Sequence, residues 1–165
     1  MLPMRALPPA TIKLAVAAQL VCAGYLQFIE WVPVFPWNDL SHGNGQERLD
    51  VILAVVQLAI AFGFWISSRI AMGLGLAAYF GWMYLQIDSW WRPYLFGGRT
   101  VGPHWYFART YKFLPIIDRR PTPDAAHVVL QILLAAVLIT GVVAFYRVVR
   151  RPPLTAKSAA LDAGR

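Results

Sequence analysis

The chain has 165 residues, room for one domain, and 58% of them are hydrophobic while only 14% are charged. A soluble domain carries about 25% charged residues, so water as the sole solvent is excluded, and the formal charge of +7 points to lipid headgroups or topology rather than nucleic acid. A single cysteine, Cys22, excludes an intrachain disulfide framework and paired-cysteine redox chemistry.

Apolar runs cover residues 14–34, 49–66, 70–87 and 125–146. Each is close to the ~20 residues that a helix needs to cross a bilayer. Backbone groups in lipid must pair within their own segment, so the runs are predicted to be helices. Arg5 and Lys13 precede the first run as the basic region of a cleaved leader would. That run is too long for a leader, and no small-residue cleavage site closes it, so it is expected to be a retained span. Residues 35–48, "FPWNDLSHGNGQER", read as a surface loop rich in Pro, Asn and Gly. "SSR" at 67–69 forces an antiparallel hairpin. Pro152 and Pro153 break the last helix, and residues 151–165 are expected to be a mobile tail. The predicted fold is an all-α integral membrane protein. Residues 1–150 would form a four-transmembrane-helix bundle with a long aromatic and basic interfacial loop, residues 88–124, between the third and fourth spans.

Four crossings place both termini on one side (side A) with the "SSR" turn, and the two longer loops on side B. Lys and Arg number eight on side A and seven on side B, nearly a tie. The basic residues hugging the outer helices, Lys13 before the first and Arg147, Arg150 and Arg151 after the last, make side A the expected cytoplasmic side.

The scarce polar groups gather at the side-B end. Seven of the eight carboxylates and all three histidines, His42, His104 and His127, fall there. Gln27 and Glu30, Asp124 and His127, and His127 and Gln131 are spaced to share helix faces. Only Gln19 sits near mid-membrane. Polar side chains in a span normally face the bundle interior or a wet cavity, so Gln27, Glu30, Gln57, Gln86, His127 and Gln131 are expected to line a polar basket. Amides alone are better explained as interhelical hydrogen bonds, worth about 0.6 kcal/mol each. Glu30 and His127 are the stronger functional candidates.

The loop carries nine aromatics between Trp90 and Phe113 and six basic residues, Arg92, Arg99, Arg109, Lys112, Arg119 and Arg120. Tryptophan and tyrosine concentrate at headgroup depth, and arginine suits a phosphate or carboxylate. The loop is expected to lie on side B as short helices broken by prolines, with "HWYFARTYKFL" at 104–114 amphipathic. It would act either as a lid over the basket or as a plain membrane anchor. Thr122 or Asp124 is expected to cap the fourth span.

No HExxH, paired ExxH or cysteine cluster marks a metal site, and one axial histidine, His127 or His104, is no haem signature. The cofactor is left unknown, with haem and metal both low in expectation. There is no nucleophile motif, and four spans without an inverted repeat disfavour transport. The reading with most support is a lipophilic ligand with a polar or anionic head, bound by Gln27, Glu30, Gln57, Gln86, His127 and Gln131, with Arg92, Arg109 and Lys112 at the head. Two alternatives stand beside it. One is an accessory subunit with a membrane-protein partner or a homo-oligomer. The other is a small enzyme in which His127 exchanges protons with Glu30 or Asp88. The sequence does not decide whether the protein is an enzyme. Membrane lipid is the expected partner, and nucleic acid is not.

Overall fold

Prolines and short polar side chains set where the helices begin and end. In the computed structural model, which describes residues 8–40, 47–98, 107–117 and 120–150, α1 (Ala10–Trp31) starts directly after Pro9. The Pro9 carbonyl accepts the Ile12 and Lys13 amides at 2.9 and 3.1 Å. The helix stops short of the expected 34 because Pro33 biases Val32 to extended backbone, φ −107° and ψ 112°. Buried Asn38 then closes its C-terminus. Its Nδ2 donates to the Ile29 and Val32 carbonyls at 2.7 and 2.8 Å, and its Oδ1 accepts the Val34 amide at 2.6 Å.

α2 (Glu47–Trp65) turns at Ser67, whose φ is 57°, and Ser68 caps α3 (Arg69–Gln86) by accepting the Ala71 amide. The third crossing does not end where the loop was expected to begin. It runs on through a π-helical turn, Ile87–Trp91, into α4 (Arg92–Phe96), an apolar helical path of 28 residues. Pro93 stands in the first turn of α4, where its missing N–H costs little. Gly97, at φ 74°, ends the helix as glycine readily does. Residues 107–117 are not an amphipathic helix either. They hold one turn, in which the Thr110 amide reaches the Phe107 carbonyl at 3.3 Å. α5 (Ala125–Val149) begins at its cap, Asp124. His42, Arg99, His104, Asp118, Arg119 and the expected tail at 151–165 lie outside the described residues.

The four crossings pack in the cyclic order α2, α1, α5, α3, so that α1 and α3 face each other across the centre. Ile12, Cys22, Phe64, Met72 and Leu134 fill that centre. Leu14, Ile70, Leu74, Ile132 and Ile139 point outward and are exposed. Helices apolar on their outer as well as inner faces suit lipid, not water. α1, α2, the α3–α4 path and α5 are each long and apolar enough to span a membrane; with 22 residues, α1 is about 33 Å long. The chain is a multi-pass, four-helix membrane bundle, with no strand among the described residues.

α2 and α3 touch least of the neighbouring pairs. They are tight only at the hairpin end. A Cβ on Gly63 would lie 2.6 Å from the Ala71 Cβ, and one on Gly75 would collide with Ile60. Toward side B a cleft of about 430 Å³ opens between them. Gly63→Val should push the helices apart where they are closest and cost about 1–3 kcal/mol. Thermal unfolding in detergent reads this loss, and an unchanged midpoint would refute the tight contact.

Candidate functional site

Asp124 is the residue around which the side-B end is assembled. Its carboxylate is 1% exposed. One oxygen, Oδ1, accepts the His127 backbone amide at 2.8 Å, the capping bond that satisfies an orphan donor of α5. The same oxygen pairs with His127 Nδ1 at 2.9 Å. The other, Oδ2, accepts the Thr110 hydroxyl at 3.1 Å, and that hydroxyl also lies 2.7 Å from the Phe107 carbonyl. Burial pushes the Asp124 pKa up, but the His127 ring and amide and the Thr110 hydroxyl outweigh it and hold the acid below the usual carboxylate range.

The imidazole is clasped between rings. The Trp90 and Phe107 centroids lie 4.4 and 4.6 Å from it. With Nδ1 fixed on Asp124, a neutral ring presents Nε2 as an acceptor. Nε2 makes no hydrogen bond among the described residues. Next to the dyad is a cavity of about 70 Å³, enough for a few water-sized groups. Glu30, Asp39, Phe107, Thr110, Asp124 and His127 are on its wall, and Ile29, Trp37 and Leu40 supply apolar surface.

The surrounding segments are stitched together by backbone and ring bonds. The Tyr111 amide donates to the Pro36 carbonyl at 2.6 Å, and the Ala125 amide donates to the Tyr111 carbonyl at 2.9 Å. Trp37 Nε1 donates to the Tyr25 hydroxyl, which donates to the Ala126 carbonyl, each at 3.0 Å.

The expected basket residues do not all share this chamber. Glu30 and His127 meet there. Gln27 joins α1 to α2, donating to the Asp50 carbonyl at 3.2 Å and accepting Trp31 Nε1 at 3.0 Å. Gln86 accepts from Gln131 at 3.3 Å, and Gln131 accepts Trp91 Nε1 at 2.6 Å, a bridge between the third crossing and α5. Gln57 lies deeper, on the α2–α3 cleft. Arg92 pairs with Asp88 at 2.9 Å on the outside of the bundle, an exposed contact of little energetic weight. Arg109 is nearer the cavity, 3.8 Å from Asp39 and stacked over Phe35. The Lys112 ammonium is taken up by the Phe107, Ala108 and Thr110 carbonyls; burial lowers its pKa, and the Asp124 charge opposes that. No three His, Cys, Asp or Glu side chains converge as metal ligands would among the described residues. Thr110 and Asn38 could not be picked out from the sequence, because neither has a helical partner at regular spacing.

Asp124→Ala removes the cap, the histidine's anchor and the Thr110 partner together, and should cost about 2–4 kcal/mol. Because the folded pKa of Asp124 is depressed, its contribution is fully present above its unfolded value of about 3.9. It is lost as pH falls through the lower folded value. Unfolding followed against pH should therefore show an acid-side loss of stability that Asp124→Asn flattens. An Asn variant with the wild-type acid profile would contradict this. Comparison with protein-family models, with curated proteins and with solved structures returns no match, so the chemistry of the site is the guide to its use.

Proposed function

We propose that this protein binds a lipophilic ligand whose small polar head seats in the side-B cavity against His127, beneath the two loop segments. The observation that carries the reading is the Asp124–His127 dyad, which holds an imidazole nitrogen without a partner beside a cavity with apolar approaches. A half-buried histidine held on Nδ1 in its neutral form favours a head that donates a hydrogen bond to Nε2. The carboxylates on the wall, Glu30 and Asp39, favour an uncharged head such as a hydroxyl over an anionic one. A cavity of about 70 Å³ admits a hydroxyl or carboxylic acid but not a sugar, so the body of the ligand lies along Ile29, Trp37 and Leu40 toward the lipid. In this reading residues 107–117 are an interfacial lid, and Arg109 guards the rim.

The dyad also supports a second reading, in which the protein is an enzyme and Nε2 takes the proton of that hydroxyl while Asp124 stabilises the imidazolium. Side A, with both termini, is the cytoplasmic side in either reading.

Native mass spectrometry of the full chain offered oleyl alcohol tests the proposal. Retention by the wild type, with about tenfold weaker retention by His127→Ala and a smaller loss in Glu30→Gln, is the expected result. Equal retention by both variants would sink it. A reproducible complex with another membrane protein in place of the alcohol would favour an accessory subunit.

A further inference from the structure

A second polar layer lies at mid-depth, away from the site above. Gln19 is 1% exposed, Gln57 4% and Tyr79 2%. Both polar atoms of each glutamine, and the tyrosine hydroxyl, are buried without a hydrogen-bond partner among the described residues. Helix register puts the three on one level. From the Gln27–Asp50 contact, about two turns along antiparallel α1 and α2 reach Gln19 and Gln57. From the Gly75–Ile60 contact, about one turn reaches Tyr79 on α3 and Gln57 on α2. Tyr79 belongs to the same buried core cluster as Cys22 of α1.

These groups cannot be dismissed as interhelical glue, because glue would be paired. A buried amide or hydroxyl left unpaired costs about 1–3 kcal/mol, and lipid supplies no replacement partner. Gln57 and Tyr79 also form the inner wall of the α2–α3 cleft, whose remaining surface is apolar: Val56, Ile60, Trp82 and Leu85. Its volume of about 430 Å³ is within the range of ligand pockets, about 300–1,000 Å³. The glycine contacts hold the helices together at the hairpin end, so the cleft opens sideways along the membrane-facing flank of the bundle.

We infer that this cleft is a second ligand site, entered laterally from the bilayer, for an uncharged hydrophobic molecule carrying one carbonyl or hydroxyl oxygen. The oxygen would meet the Gln57 amide and the Tyr79 hydroxyl, with Gln19 behind them. An ion does not suit the layer, which offers amides and a phenol but no opposite charge. The site is on the seam opposite the α1–α5 seam that holds His127, so it stands or falls apart from the proposal above.

The test uses the full chain in nanodiscs and two photoactivatable probes: a long-chain ketone with a diazirine in its chain, and the matched hydrocarbon without the oxygen. The ketone should label cleft residues about tenfold more than the hydrocarbon, the weight of one or two hydrogen bonds. That excess should vanish in the Gln57→Leu, Tyr79→Phe double variant and persist in His127→Ala. The double variant, without probe, should melt no lower than the wild type, because it removes polar groups that have no partner. Equal labelling by the two probes would reduce the cleft to a greasy groove and overturn the inference. So would cross-links between two copies of the chain at this face, or a lower melting temperature in the double variant, which would mean that the amide and phenol pair within the protein.

Discussion

A carboxylate withdrawn almost wholly from water must be surrounded by donors, and at Asp124 those donors come from α5 and from the loop that precedes it. The α5 backbone supplies one, the His127 ring a second, and the Thr110 hydroxyl a third. Removing any one leaves a buried acceptor short. This single residue therefore fixes where α5 starts, how the histidine is turned and where residues 107–111 rest. The Tyr111 bonds to Pro36 and Ala125 extend the same constraint to the first loop. The cavity wall is rigid because its parts are held in common, and a rigid wall is what a binding site needs.

The two polar layers obey opposite logic. At side B the Asp124 carboxylate and the His127 Nδ1 are paired, and the imidazole is braced between the Trp90 and Phe107 rings. At mid-depth the amides and the phenol have no hydrogen-bond partner among the described residues. The first arrangement contributes to stability, while the second subtracts from it. A bundle of this size has a net stability of only a few kcal/mol to spare. Keeping Gln19, Gln57 and Tyr79 in its centre therefore calls for a compensating contact that the protein alone does not make.

Much of the fold was legible because it depends on composition over long windows. Four runs of about the right length, one hairpin of three residues and a cap three residues before His127 all follow from counting and spacing. The end of the third crossing was not legible. Pro93, Gly97 and the aromatics around them look like a loop, yet proline is harmless in a first helical turn, and a π-helical turn absorbs the irregularity at 87–91. In the site, Glu30 and His127 could be brought together from their common depth. Depth alone could not tell which seam each residue faces. Gln57, Gln86 and Gln131 were assigned to one chamber on that basis, but Gln86 and Gln131 pair across the α3–α5 seam while Gln57 lines the α2–α3 cleft, because rotation about a helix axis is set by packing. Thr110 was invisible for another reason: it reaches Asp124 across a loop with no periodicity.

Packing also explains the cleft between α2 and α3. α1 meets α2 and α5 along most of its length, with small residues such as Ala15, Cys22 and Ala23 buried at the contact. α3 meets α5 through Gly141, against which Leu76 and Phe64 pack. α2 and α3 come closest near the hairpin, where Gly63 faces Ala71 and Gly75 faces Ile60. Past those positions Trp82 and Leu85 intervene, and helix axes separated by large side chains cannot approach as closely as those separated by glycine. The seam must therefore open toward mid-depth, where Gln57 and Tyr79 form its wall. The same placement of glycines that closes the hairpin thus leaves Gln57 and Tyr79 on the wall of the α2–α3 cleft.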